Sequence, residues 1–158
     1  MRVILCLLTA LVATPAWAGP KEDAATANSK GDYAAELRIT RPLAADGEAW
    51  AQSLIGLSYS TGEGVPKNDA EAVKWYRLAA AQGDSEAQSQ LAFHYSLGRG
   101  VPRDDGRAHM WANLAAANGD VISATLRDLI AEEMTPKQLA EAQKLARECQ
   151  ARNFKGCD

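Results

Sequence analysis

The chain has 158 residues, 17 lysines and arginines against 20 aspartates and glutamates, a formal net charge of −3, and 47% apolar residues. This mildly acidic balance disfavours nucleic acid and anionic membrane surfaces as partners. The length suits one domain, able to bury about two-thirds of the surface its unfolded chain exposes.

In chain order, residues 1–18 (MRVILCLLTALVATPAWA) come first. Arg2 precedes an apolar run from Val3 to Val12, and small residues flank Trp17 at Ala16 and Ala18. This is the layout of a secretory signal peptide. The run is shorter than the roughly 20 residues of a membrane span, and an uncleaved anchor is the rival reading. Lipidation at Cys6, inside the run, would leave almost nothing to remove. The mature chain is therefore expected to start at Gly19, periplasmic or secreted, with no integral membrane segment. Residues 19–30 are weakly patterned and are expected to be a flexible N-terminal segment, where the first helix of a worn copy of the repeat would fall.

From there the text repeats with a period of 36 residues. Gly47 falls on Gly83 and Gly119, Ile55 on Leu91, and Tyr59 on Tyr95. Gly62-x-Gly64-Val65-Pro66 falls on Gly98-x-Gly100-Val101-Pro102. Trp75 falls on Trp111, and Leu78–Ala81 on Leu114–Ala117. Such a period marks stacked supersecondary units. Each unit reads as two helices. In the first copy, Ala51, Ile55, Gly56 and Tyr59 make a helical stripe between Glu48 and Ser60. Gly62 and Gly64 stop that helix. Asn68 N-caps the second, with Glu71 three residues on. Ala72, Trp75, Leu78 and Ala79 form its inner face, and Gly83 ends it. Trp75 and Trp111 are read as core because they recur with the repeat.

The domain is therefore drawn as a partial repeat over 31–47, full repeats over 48–83 and 84–119, and a degenerate repeat with a capping helix over 120–158. Thr135, Pro136 and Gln138 start the last helix with a capping box. The mature chain holds Cys149 and Cys157. Residues eight apart in a straight helix lie about 12 Å apart, and a disulfide needs Cα atoms within about 7 Å. A bridge therefore requires the helix to break before Cys157, a reversal for which Gly156 is suited.

Chemistry is hard to find. His94 and His109 have no second ligand at helical spacing, and surface or packing roles are expected of them. Gly62-Glu63-Gly64 and Gly98-Arg99-Gly100 lack the strand and the Gly-Lys-Ser/Thr of a phosphate loop. Asp104-Asp105 and Glu132-Glu133 point in different directions and read as capping and solvation. Lys67 and Arg103 follow the two Val-Pro turns as solvated cations. No catalytic residue, cofactor or metal is expected.

The pattern Ala-Gln-x-x-Ile-Gly-x-x-Tyr-x-x-Gly-x-Gly-Val-Pro (51–66), followed by Ala-x-x-Trp-Tyr-x-x-Ala-Ala-x-Gln-Gly, resembles the Sel1-like repeat, a relative of the tetratricopeptide repeats. Ala92 and Ala112 depart from it, standing where the first copy has Gly56 and Tyr76. The resemblance implies an all-α fold, an α-α solenoid of stacked antiparallel helix pairs. It also implies a non-enzymatic adaptor that binds a protein or peptide, in envelope signalling or host contact. First helices line the concave side of such stacks. Trp50, Ser53, Leu57 and Ser60, with Glu86, Ser89, Phe93 and Ser96, are accordingly the partner-binding candidates. Packing against the next first helix is the equal alternative for them. A cell-wall enzyme or β-lactam-binding protein, like the cysteine-rich relatives, is the other functional reading. Both full repeats lack the cysteines of that subgroup. A regulator that restrains a membrane sensor would use the same groove.

Overall fold

The structure, a computed structural model, describes residues 19–157. Those residues form helices and turns only. The helices are α1 (Pro20–Ser29), α2 (Tyr33–Ala45), α3 (Ala49–Thr61), α4 (Asp69–Ala80), α5 (Ser85–Leu97), α6 (Asp105–Ala117), α7 (Val121–Glu133) and α8 (Pro136–Ala151). Consecutive helices pack in turn from α1 to α7, the order of an α-α solenoid.

The boundaries follow from capping. Asn68, Asp84, Asp104 and Asp120 each accept a backbone N–H of the helix they precede, which satisfies one of its orphan donors. Thr135 and Gln138 form the complete capping box. The two glycines of each Gly-x-Gly turn do different work. Gly62 and Gly98 are left-handed C-caps. Gly64, at φ 73°, lies against the preceding pair: an added Cβ would come 2.6 Å from Leu37. Gly100 sits against the backbone of Asp69 and Ala70 at the start of α4 in the same way. The turn thus stops one helix and permits close stacking on the unit before it.

Inside each unit the two departures from the repeat compensate. A Cβ on Gly56 would fall 2.7 Å from the Tyr76 ring, so the glycine is the socket for a fully buried tyrosine. In the second copy Ala92 faces a second helix that carries Ala112, and both are fully buried. Trp111 and Met110 fill the space there.

Three expectations are corrected. Residues 20–29 are helical, with Ala24 and Ala27 buried, and Asn28 Nδ2 donates to the buried Glu36 carboxylate at 2.7 Å. Small residues and one polar anchor suffice to dock α1 on α2, so no large apolar signal marks it. Leu78 is not on an inner face: it is 51% exposed, and Tyr76 takes the inner place. Trp75 is only half-buried, packed against Leu37, Ala44, Ala51 and Ile55.

The last unit breaks register. α8 packs on α6 instead of closing a hairpin with α7. Asp128 of α7 stands where Gly56 and Ala92 admit the second helix of their units. Its carboxylate pairs with Arg127 in solvent, and burying it under α8 would strip its hydration. Beyond α8 the chain reverses through Asn153 (φ 50°), Phe154 (φ 64°) and Gly156 (φ 64°). That reversal brings Cys149 and Cys157 into a disulfide with Cα atoms 5.2 Å apart. Closing so short a loop contributes about 2.5 kcal/mol. The residues 1–18 read as a signal peptide lie outside the described residues. Among the described residues no helix is long and apolar enough to cross a membrane.

Candidate functional site: a groove on the first-helix face

Helices α3, α5 and α7 touch in succession. Helix α1 packs on α2 and leaves a groove of about 340 Å³ between itself and α3. Trp50, Leu54 and Leu57 of α3 form its apolar wall, and Lys21, Ala25 and Asn28 of α1 stand opposite. Asp84 and Glu86, at the start of α5, close one end with negative charge. The Asp84 carboxylate also accepts the Ala87 N–H at 2.8 Å, and Glu86 accepts from Gln90 at 2.8 Å.

The eight residues expected to bind a partner divide into two sets. Trp50, Ser53, Leu57 and Glu86 line this groove. Phe93 is half-buried outside it. Ser53 and Ser89 belong to the packing between units. Ser53 is only 6% exposed and its hydroxyl has no hydrogen-bond partner. Ser89 is equally buried, its Oγ 2.9 Å from that of Ser123 on α7. Ser123 in turn donates to Asp120 at 2.7 Å, and that hydrogen bond leads the causes that hold the Asp120 carboxyl below its ordinary value. Ser60 lies 3.5 Å from His94 Nε2, and Ser96 donates to the Phe93 carbonyl at 3.0 Å. A helical stripe three residues wide spans both the groove face and the stacking face, so the sequence alone did not part them.

One set of residues on the same first-helix face, beyond the groove, was missed. Continuing the 36-residue register onto α7 carries Trp50 and Glu86 to Ile122, and Leu54 and Gln90 to Leu126. It carries Leu57 and Phe93 to Leu129. Ile122 and Leu129 are among the most exposed large apolar residues described, at 65% and 57%. The row Leu57–Phe93–Leu129 is apolar on all three helices. The signal was in the period, which had been followed through two copies only.

Neither histidine faces the groove; both are 3% exposed. His94 Nδ1 is 2.9 Å from the Arg99 carbonyl and donates to it, leaving Nε2 as the acceptor for Ser60. Burial pushes both histidines below the ordinary value. Asp104 is the N-cap of α6 and is bridged by Arg107. Arg103 pairs with Asp105 and Glu133 across the turn. Among the described residues, no group of three or more His, Cys, Asp or Glu side chains is placed to hold a metal ion.

Stacked helix hairpins with a repeated glycine turn and a groove along the first helices define a repeat solenoid of the tetratricopeptide-like class. Residues 51–84 and 85–120 each match the Sel1 repeat, so the chain carries two Sel1 repeats. It is similar to a protective antigen present in uropathogenic Escherichia coli strains that displays an SLR fold, with 30% identity and a TM-score of 0.81. The match covers 87% of this chain and 30% of that one. A Sel1 repeat protein from Oxalobacter formigenes is 29% identical with a TM-score of 0.62, over 82% of this chain and 57% of that one. The chain thus spans less than two-thirds of either relative. No curated protein matches it. Sel1 repeats generally serve protein–protein interaction rather than catalysis, and the disulfide and the absence of a spanning helix among the described residues are compatible with a secreted protein.

Proposed function

We propose that the protein is an exported, non-enzymatic adaptor that holds a peptide or partner surface along its first-helix face. The observation that carries this reading is the apolar row Leu57–Phe93–Leu129, left open on three successive helices beside the groove under Trp50. Large, partly exposed apolar side chains in a concave site are the anchors that dominate interface energy. Rigid stacked helices present them without an ordering penalty on the protein's side. The acidic end at Asp84 and Glu86 favours a partner with basic residues there. Export rests on residues 1–18, and the periplasm or the exterior is the working compartment. The Escherichia coli relative, a protective antigen, is in keeping with a role in envelope signalling or host contact.

The test uses the chain from Gly19 with Trp50→Ala and Phe93→Ala. Both side chains are partly exposed, so the fold persists, which circular dichroism checks. Partner capture from the native envelope falls at least about tenfold in each variant, as expected for an anchor worth more than 1.4 kcal/mol. Undiminished capture by both folded variants contradicts the groove assignment.

A further inference from the structure

Two successive joints between second helices, α2–α4 and α4–α6, carry the same socket, and only one is filled. At the α4–α6 joint the Phe154 ring lies on Gly83: a Cβ there would meet it at 3.2 Å. Arg77, Ala81 and Trp111 border a small cavity beside the ring, with Gly156 and Cys157 closing it. Leu114 is 3% exposed and belongs to the same cluster as Cys149 and Phe154. The disulfide loop thus delivers one phenylalanine to a seat between α4 and α6.

Shifting that seat back by one period gives Arg41, Ala45, Gly47, Trp75 and Leu78. Every one of the five residues is identical to its counterpart: Arg77, Ala81, Gly83, Trp111 and Leu114. This copy is bare. Nothing lies within 4 Å of a Cβ placed on Gly47. Leu78 is 51% exposed, and Trp75 is half-buried where Trp111 is 2% exposed. A pure solenoid face needs no exposed leucine beside a tryptophan. In the twin, α8 and the Phe154 loop together cover the tryptophan and the leucine, and here that cover is missing.

We propose that the Arg41–Gly47–Trp75–Leu78 surface is a second docking site, which receives a phenylalanine carried on a tight, basic turn of a partner protein. The chemistry is taken from the occupant of the twin. That occupant is the segment Arg152-Asn153-Phe154-Lys155-Gly156, left-handed at Asn153, Phe154 and Gly156. Charge agrees: Asp46 and Glu48 flank Gly47, where the filled copy has Gln82 and Asp84. A second copy of the chain is not the occupant, because its own Phe154 is seated and tied down by the Cys149–Cys157 bridge. The site stands apart from the groove and does not depend on the groove's role.

The probe is the oxidised cyclic peptide Cys-Gln-Ala-Arg-Asn-Phe-Lys-Gly-Cys, copied from residues 149–157. Titrated into the intact disulfide-bonded protein and followed by calorimetry and amide chemical shifts, it is expected to bind one site per chain. Leu78→Lys, a change at an exposed position, weakens binding at least about tenfold. So does replacing the peptide's phenylalanine by alanine, whereas Phe93→Ala on the first-helix face leaves binding unchanged. Absence of saturable binding, or binding indifferent to Leu78→Lys, overturns the proposal. A concentration-dependent dimer dispersed by Leu78→Lys also overturns it, by making a second copy the occupant.

Discussion

The first and second units share a blueprint and solve its packing problem differently. In α3–α4, a glycine backbone receives a large ring, Gly56 under Tyr76. In α5–α6, two alanines meet, and the bulk moves to Trp111 and Met110, under the cover of α8 and the Phe154 loop. The first unit therefore keeps an outer face with Leu78 open, and the second does not. The polar seams differ too. Between the second and third units Ser89, Ser123 and Asp120 satisfy one another. Between the first and second, the counterpart of Ser123 is Ala87, which offers no hydroxyl, and the Ser53 hydroxyl goes unpaired. The lesson is that a repeat fixes backbone spacing, while the side chains at each joint co-vary so that volume is conserved.

The largest effect expected from breaking this comparison lies at Tyr76. Tyr76→Ala costs about 3–5 kcal/mol by emptying a fully buried aromatic seat. Gly56→Ala costs about 1–3 kcal/mol by forcing a methyl into the ring. The double variant recreates the alanine pair of the second unit, so its loss falls short of the sum by at least about 1 kcal/mol. Urea denaturation of all four proteins measures the coupling, and strict additivity would show that the two positions do not compensate.

A smaller effect separates the serines. Ser89→Ala breaks a satisfied buried network and costs about 1–2 kcal/mol. Ser53→Ala removes a hydroxyl that has no partner and changes stability by less than about 0.5 kcal/mol. Equal losses at the two sites, read from thermal midpoints, would refute the difference between the seams.

The smallest effect is pH-dependent and rests on His109, which stands where the first unit has Val73. Burial is the main cause that holds His94 and His109 below the ordinary histidine value. The unfolded chain therefore takes up protons first as pH falls. The stability these groups contribute is complete above about pH 6.5 and is lost from there down to their native values. His109→Val, the residue of the first unit, makes that acid slope shallower while shifting neutral-pH stability by less than about 1 kcal/mol. Denaturant midpoints between pH 7.5 and 5 test it; an unchanged slope contradicts the assignment.

Most of the helix boundaries were legible because caps and glycines are local signals. The 36-residue period placed Asn68, Gly62 and Gly98, and the local capping box placed Thr135, where the helices begin and end. Helix α1 was legible only as the place where a worn copy's first helix would fall, since alanines and Asn28 dock it without a hydrophobic stripe. The route of α8 was hidden in one residue, Asp128, whose charge blocks the hairpin that the repeat would otherwise close. The groove was half legible. Trp50, Leu57 and Phe93 stand at or beside the open face, but Ser53 and Ser89 on the same stripe turn inward. Helical spacing says which residues share a face, and only the position of the neighbouring helix says whether that face stays open.

The most direct test of the groove as the partner site is photo-crosslinking in the native envelope. A photoreactive amino acid replaces Leu57, Phe93 or Leu129 in turn, and Lys144 on the exposed side of α8 serves as the control. The account predicts one common adduct from all three groove positions and none from the control, with the adducts lost on Trp50→Ala. The same partner captured from residue 144 but from none of the three would place binding on another face and contradict the account.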